Sequence, residues 1–317
     1  MCEKPITDQY HELKQLEKKY DKYNNKVIVA HVLRYTPFFN KIKEIIKSKI
    51  IGRVRFINLI ENIGYFHYAH SYVRGNWRNK KVAAPIILAK SCHDLDILYW
   101  LLDSRYKRIY SEISERYFKH EYQPSQTAQR CIDCVIEDNC PYSAKKIYLN
   151  KGYQWPISTI TEELSQAGIK KALANSSYGK CVYRADNEQP DVYSALLKFN
   201  NEITAHFTLT AFSKEMTRKI NIFASHGEIS GDLEAGQIVL KPFLGKNKKI
   251  KINNNGSHAG GDRKLINSFA ALLSHDDFNN KSNLLSSLES HYVALALEKA
   301  RHDKNPIELN LFRRRNI

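Results

Sequence analysis

The sequence predicts an α+β fold in which a large, mostly antiparallel sheet is covered by helices on one face. Residues 203–211 alternate apolar side chains with threonine and histidine, which is typical of a strand with one buried face. Residues 217–241 carry further short strand signals broken by glycines. Helical patterns near 262–274 and 282–302 then close the chain.

The front of the chain is predicted to hold two helices around one strand. Thr7 caps a lysine-rich amphipathic helix, and residues 27–33 follow as a short buried strand. Thr36 with Pro37 begins a second helix, which ends before Gly52. Helices and a strand in this order are typical of the last part of a Rossmann sheet.

Strands dominate after that point, with one helix between them. Residues 54–60 give a strand signal, and Asn200-Asn201 predicts a hairpin turn ahead of the alternating segment. Between them, Ser91 followed three residues later by Asp94 is a capping box and predicts that a helix begins at Ser91.

Composition narrows the class of protein. A chain of 317 residues can bury a sizeable core, and its net charge of +16 would attract phosphates and anionic surfaces nonspecifically. No nucleic-acid-reading module accompanies the charge, so we do not expect a specific nucleic-acid partner. A basic nucleic-acid-binding module is a weaker hypothesis, which salt-dependent retention on DNA would test. No apolar run could span a membrane, and no hydrophobic signal segment begins the chain. We therefore expect a cytoplasmic protein with no membrane contact.

His93 is the strongest candidate for chemistry. It lies in the first turn of the predicted helix, where the macrodipole disfavours imidazolium while Asp94 and Asp96 favour it. A pKa near neutrality would suit general acid or base work, with Asp96 on the same helical face. The alternative is an ordinary polar helix start, which needs no function.

Two spaced motifs resemble one family. Residues 85–102 resemble the active-site helix of the Gfo/Idh/MocA oxidoreductases, whose usual form ends in His-x-x-Asp. Glu3-Lys4-Pro5 is similar to the family's Glu-Lys-Pro, which presents its lysine to nicotinamide and substrate. The resemblance implies NAD or NADP as cofactor, a small sugar-like or cyclitol substrate, and Lys4 and His93 as catalytic residues. It also implies the fold predicted above, as a C-terminal Gfo/Idh/MocA-type domain whose sheet dimerises.

The same resemblance implies the remaining site residues. Substrate contacts would come from His67, His70, Arg74 and Asp96, and cofactor contacts from Glu3, Lys4, Pro5, Arg34, Tyr35, Trp77 and Arg78. The polar run that contains His67 and Arg78 has the alternative reading of an exposed loop with ordinary charges. Lys4 has the alternative reading of an exposed terminal lysine.

Some residues depart from the family pattern. The family's Asp four residues before the histidine is Ala89 here, with Lys90 beside it. Where one branch of the family has Asp-His-Gln, this chain has Asp191, Val192 and Tyr193, so a pocket histidine has become Val192. That change puts the branch's substrate chemistry in doubt.

The largest departure is in the dinucleotide-binding part. The sequence contains no Gly-x-Gly-x-x-Gly, the turn whose amides approach a pyrophosphate. We therefore expect an N-terminally truncated member, in which residues 1–50 are the remnant of a Rossmann domain and residues 51–317 form the substrate-binding and oligomerisation domain. The alternative is a nonenzymatic remnant or assembly partner that keeps the dimerisation sheet.

A first prediction concerns cofactor affinity. Because the pyrophosphate-binding turn is absent from the sequence, the chain should bind NAD(H) and NADP(H) only weakly. Titration followed by nicotinamide fluorescence measures this directly. A dissociation constant in the low micromolar range would contradict the expectation.

The cysteines form one cluster in the sequence, inside an insertion near residues 123–150. Cys131-x-x-Cys134 with Cys140 could supply three thiolates to one tetrahedral zinc, with Cys181 or a histidine as a distant fourth ligand. A second Cys-x-x-Cys or a histidine pair is absent, so a reduced, partly buried thiol cluster is the alternative. Six cysteines without a disulfide-scaffold pattern fit a reducing compartment.

Overall fold

The structure, a computed structural model, describes residues 1–20, 26–149, 155–274 and 280–314. The helices are α1 (Tyr10–Tyr20), α2 (Pro37–Ser48), α3 (Tyr65–Tyr68), α4 (Ile86–Ala89), α5 (Cys92–Leu102), α6 (Ala144–Tyr148), α7 (Gln166–Asn175), α8 (Gly261–Ser274), α9 (Leu284–Asp303) and α10 (Leu309–Arg314). The strands are β1 (Val54–Asn62), β2 (Tyr106–Ile113), β3 (Val192–Phe199), β4 (Thr204–Thr210), β5 (Thr217–Ala224), β6 (Gly227–Asp232), β7 (Gln237–Pro242), β8 (Lys248–Lys251) and β9 (Ile307–Glu308).

In the described part of the chain these strands form one sheet in the order β8-β7-β6-β5-β1-β4-β3-β2-β9. Only β1 and β4 pair in parallel, and every other neighbouring pair is antiparallel. The predicted α+β fold with a mostly antiparallel sheet is therefore confirmed. The hairpin predicted at Asn200-Asn201 is also present, joining β3 to β4 in the register Lys198↔Thr204.

Helices cover one face of the sheet, as the alternation in β4 predicted. Ala205, Phe207 and Leu209 are fully buried. Helices α9 and α10 pack against β2, and α2 packs against β7. The residues between the buried ones, such as Thr204 and Thr208, are only partly buried on the opposite face. The sheet thus has one face in the core and one face that no described element covers.

We call that second face the threonine-lined face and define it by Thr204, Thr208, Phe56, Phe223 and Leu196. The rings of Phe56 and Phe223 lie 6.0 Å apart across β1 and β5. Leu196 is 55% exposed and Phe223 42% exposed. Apolar side chains therefore stand among the threonines on the open face.

The front of the chain agrees with prediction at its helices and differs at its strand. α1 and α2 form as expected, and the Thr36 side chain caps α2 by accepting from the Phe39 amide. Residues 27–33 do not form a strand, because they make only isolated bridges. Val29 forms a parallel bridge with Cys2, and Ile28 forms an antiparallel bridge with Asn283. Without a continuous hydrogen-bonded neighbour the segment stays irregular and turns into a 3-10 helix.

Among the described residues, no helix has the length and apolar character that crossing a membrane requires. The predicted division of the chain at residue 50 stays a prediction.

Candidate functional site

Lys4 and His93, predicted from motifs 89 positions apart, lie close together in the structure. The Lys4 ammonium donates a hydrogen bond to the carbonyl of Ala89 at 3.0 Å, at the end of α4 and just before α5 begins. Its charge also contributes to the lowered pKa of His93. Lys4 is only partly buried, so donors of the ammonium beyond the one used by Ala89 remain for a ligand. Its neighbours are less engaged: Glu3 is exposed and Pro5 is half-buried.

His93 is held as a neutral imidazole. Burial is the main reason that its pKa lies well below the usual value, and the positive charges of Lys4 and Arg218 add to the effect. The prediction of a pKa near neutrality is therefore wrong, because α5 begins inside the protein and not at its surface. Nδ1 of His93 is buried without a hydrogen-bond partner among the described residues. A neutral ring with an unused nitrogen can accept a hydrogen bond from a ligand hydroxyl.

Two further histidines accompany His93, and the motif comparison gave neither of them a role. The ring of His31 lies 5.9 Å from that of His93 and 6.1 Å from that of His291. Nδ1 of His291 donates to the carbonyl of Ser287 at 2.9 Å, so Nε2 is free to accept from the Ile6 amide at 2.9 Å. This contact ties the segment after Lys4 to α9. No periodicity or spacing relates His31 and His291 to His93, so sequence patterns did not indicate these two residues.

Helix α5 begins at the predicted place but without the predicted cap. The Ser91 hydroxyl is buried and makes no capping hydrogen bond. Asp94 cannot complete a capping box because its carboxylate is bound by Arg218, with Nε 2.7 Å from Oδ1. The capping-box prediction is thus wrong, although the helix start that it indicated is correct.

Asp94 belongs to a cluster that we call the charged quartet, formed by Glu61, Lys90, Asp94 and Arg218. Arg218 Nε lies 2.9 Å from Oε2 of Glu61, and Lys90 Nζ lies 3.3 Å from Oε1 of the same residue. Burial raises the pKa of Asp94 to about 6, against the opposing effect of Arg218. Sequence reasoning missed Glu61 and Arg218, which reach the quartet from β1 and β5. Lys90, noted as a departure from the family pattern, finds its electrostatic partner here.

Asp96 and Arg34 bind each other. The guanidinium makes a bidentate contact at 2.7 and 2.5 Å, and both side chains are buried. Arg34 also donates to the Ser286 hydroxyl at 3.1 Å, and the Tyr35 hydroxyl pairs with that of Ser282 at 2.8 Å. The structure gives these three residues partners within the protein, and the substrate contact predicted for Asp96 and the cofactor contacts predicted for Arg34 and Tyr35 stay predictions.

His67 and His70 lie in an aromatic cluster beside the quartet. Burial lowers the pKa of His67 to about 3, with Lys90 as the next cause, so the two side chains are close enough to interact electrostatically. The ring of Trp155 lies 5.0 Å from His67, and 44% of Trp155 is exposed. His70 is buried with a pKa lowered to about 4, and its Nδ1 contacts the hydroxyl of Tyr148 at 2.7 Å. His67 is therefore a predicted substrate residue that interacts electrostatically with Lys90 and Arg218 of the quartet.

The other predicted residues of this run point elsewhere. Arg74 is buried, and its guanidinium donates to the carbonyls of Lys180 at 2.7 Å and Tyr142 at 2.8 Å. Arg78 pairs with Asp186 at 3.0 Å. Trp77 is 43% exposed. None of these contacts joins the cluster around Lys4 and His93, and the ligand roles of these residues stay predictions.

The cysteines of the insertion gather around one cavity. Cys131, Cys134, Cys140 and Cys181 line a cavity of about 370 Å³ together with Arg74. All four are free, and burial raises the pKa of Cys140 and of Cys181, which favours the thiol. Within the described ranges no group of three or more His, Cys, Asp or Glu side chains is arranged to hold a metal ion. The structure does not support the zinc site predicted from spacing.

The fold has this sheet and a lysine–histidine pair at the start of a covering helix. Comparison with known proteins shows which class shares it. Residues 39–137 match the family model described as GFO/IDH/MocA C-terminal domain. The whole chain aligns at 22% identity with YteT of Bacillus subtilis (strain 168), which is named as an oxidoreductase, and covers 77% of it. The chain is thus similar to the Gfo/Idh/MocA oxidoreductases, through the C-terminal-domain model over residues 39–137 and through this relative over its whole length.

Solved structures show the same fold. An oxidoreductase from Agrobacterium radiobacter, solved with NAD+, L-tartaric acid and magnesium, superposes with a TM-score of 0.64 at 12% identity, over 98% of this chain and 72% of that one. The transcriptional regulator Gal80p from Kluyveromyces lactis superposes with a TM-score of 0.65 at 13% identity, over 98% of this chain and 67% of that one.

Proposed function

We propose that the chain carries the catalytic part of an NAD(P)-dependent oxidoreductase that acts on a hydroxyl group of a sugar-like or cyclitol substrate. The observation that carries the proposal is the proximity of Lys4 to a neutral, buried His93. An ammonium and an unprotonated imidazole are the pair that alcohol oxidation needs at one oxygen atom.

Lys4 and His93 have different roles in the proposed reaction. His93 takes the hydroxyl proton on its neutral imidazole, and the Lys4 ammonium stabilises the negative charge that develops on the oxygen. His67 and the exposed edge of Trp155 stand beside the charged quartet, where a polyhydroxylated ring would meet a polar group and an aromatic one. A nicotinamide, when bound, supplies the hydride acceptor.

The described residues fit the nicotinamide end of such a cofactor and not its pyrophosphate end. Lys4 offers a cation and His93 an unpartnered buried nitrogen at the reacting end. No described glycine turn is arranged as Gly-x-Gly-x-x-Gly, since the sequence holds none. NAD+ in the Agrobacterium radiobacter relative supports a dinucleotide as the cofactor class.

A panel of polyols and sugars tests the proposal. Each is incubated with the chain, a Rossmann domain of a close relative supplied in trans and excess NAD+ or NADP+, and reduced nicotinamide is followed by absorbance. Because the sequence lacks the pyrophosphate-binding turn, we do not expect the chain to be active alone. Oxidation of at least one polyol when the domain is supplied, with no signal when the substrate or the chain is omitted, is the expected result. A panel without any turnover favours the second candidate.

The second candidate is a nonenzymatic assembly partner. The fold is shared with a transcriptional regulator, Gal80p, as well as with enzymes, so the fold alone does not select between the two roles. Val192 in place of a pocket histidine and the missing Gly-x-Gly-x-x-Gly favour it, and the apolar residues of the threonine-lined face are placed to pack against another surface.

In either case we expect a homodimer or larger assembly through the threonine-lined face. Leu196 and Phe223 are large apolar side chains on a sheet face that no described element covers. Light scattering at micromolar concentration should give at least twice the monomer mass of 36.8 kDa. The Phe223→Lys variant should shift the mass toward the monomer, whereas Val135→Lys, an equally large change at a residue that is 78% exposed elsewhere, should not. A monomeric wild-type chain would refute this assembly.

A further inference from the structure

A cleft whose lining includes neither Lys4 nor His93 is strongly basic. It has a volume of about 630 Å³, and the cations that line it are Arg116, Lys119, Arg130, Lys180 and Arg184. No carboxylate is among the lining residues. None of the residues that line it belongs to the Lys4 and His93 site. The cleft is thus a separate, concave concentration of positive charge.

Two of the arginines are held in place without being neutralised. The Arg130 guanidinium donates to the carbonyl of Leu173 at 2.7 Å, at the last part of α7. Arg116 donates to the backbone carbonyl of Asn187. Neither these two arginines nor Lys180 and Arg184 form an ion pair with any described carboxylate, whereas Lys119 is paired with glutamates. A guanidinium fixed by neutral carbonyls keeps its full charge for an incoming anion.

The floor of the cleft is also defined by backbone contacts. Arg130 and Lys180 form an isolated antiparallel bridge, and the Cys181 amide donates to the carbonyl of Gln129 at 2.9 Å. Two of the cations therefore project from one short paired segment.

Asp186 is near enough to Lys180 to interact electrostatically, but Arg78 and Asn79 already bind its carboxylate.

An uncharged side chain in the same cleft gives an independent indication of a ligand. Asn187 lines the cleft, is 5% exposed, and has neither its amide nitrogen nor its amide oxygen bonded to any described group. Leaving a buried amide without partners destabilises the folded protein. A ligand that brings oxygen acceptors to the cleft would meet the amide nitrogen and the cations together.

We propose that this cleft binds the anionic tetrahedral group of a small-molecule phosphate or sulfate ester. Three arginines, two lysines and an amide offer more donors than one carboxylate can use, but suit an anion with three or four terminal oxygens. The volume fits a ligand of monosaccharide or disaccharide size. A polynucleotide would need a continuous basic track, which the concave shape does not provide.

Calorimetric titration with inorganic phosphate tests the proposal on the full chain. The Lys180→Gln, Arg184→Gln double variant should bind phosphate at least ~10-fold more weakly than wild type, which corresponds to about 1.4 kcal/mol. The matched control is Lys246→Gln, Lys248→Gln, which removes the same charge from exposed lysines of another surface and should change affinity less than about twofold. Asn187→Ala should also weaken binding, and the lysine and arginine variants carry the test if it fails to fold.

Sugar ligands separate the sources of the anion. Glucose 6-phosphate or glucose 6-sulfate should bind at least as tightly as inorganic phosphate, and glucose should not bind to the cleft. Equal loss of phosphate affinity in the cleft and control variants would show that net charge alone attracts the anion and would overturn the proposal. Tighter binding of a single-stranded oligonucleotide than of the sugar esters, lost in the cleft variant, would overturn the assignment of a small molecule.

Discussion

Replacing Arg34 by methionine should lower the free energy of unfolding by about 3–5 kcal/mol, because the change leaves the Asp96 carboxylate buried without its partner. The bidentate contact of the two side chains joins α5 to the segment before α2. Denaturant unfolding followed by circular dichroism measures the loss.

Two controls separate the orphaned charge from other effects. Lys107→Met breaks the exposed pair with Glu202, where the lysine is 47% exposed, and should cost less than about 1 kcal/mol. The double variant Arg34→Met, Asp96→Leu removes both charges and should recover most of the loss. A single variant as stable as wild type would show that Asp96 has another partner and would contradict the pairing.

Acidification should destabilise the protein by an even larger amount. The pKa values of His31, His67, His70, His93 and His291 all lie below the usual value, with burial as the first cause in each case. The unfolded chain binds protons at these histidines near pH 6.5 and the folded chain does not, so stability is full above that pH and falls as the pH drops below it.

The size of the effect follows from proton linkage. At pH 5.5 each neutral histidine contributes about 1.4 kcal/mol of destabilisation relative to pH 7.5, or about 7 kcal/mol for the group. The pKa of Asp94, raised to about 6, acts in the opposite direction and offsets about 1 kcal/mol. Denaturant unfolding at pH 7.5, 6.5 and 5.5 should therefore show a net loss of about 6 kcal/mol. A stability that stays constant over this range would mean that these histidines are not buried as neutral rings.

Local patterns predicted the sheet well. The alternation in β4 and the glycine-broken segments that became β5, β6 and β7 are confirmed, because a period of two needs only neighbouring residues and one buried face. The strand predicted at residues 27–33 failed for the opposite reason. Strand formation depends on a hydrogen-bonded neighbour, and a single strand's own sequence does not show whether one is present.

The sequence motifs indicated candidate site residues, but not the side chains that those residues contact in the folded protein. The two motifs identified Lys4 and His93 correctly as neighbours. The pairing of Arg34 with Asp96 joins residues 62 positions apart, and Asp94 is bound by Arg218 from a strand 124 positions later. Such contacts depend on how helices dock on the sheet, so spacing along the chain could not reveal that Arg218 takes Asp94 away from the predicted cap.

The most direct test of the central claim is the single-turnover rate of nicotinamide reduction by the wild type and by His93→Ala, measured with an active polyol from the panel, the same Rossmann domain supplied in trans and excess NAD+ or NADP+. Loss of the proton acceptor should slow this step by roughly 10²–10⁴. The control is His226→Ala, a substitution at an exposed histidine in the turn between β5 and β6, which should leave the rate unchanged. Equal rates in wild type and His93→Ala would contradict the account, because His93 would then be only a buried residue at the start of α5.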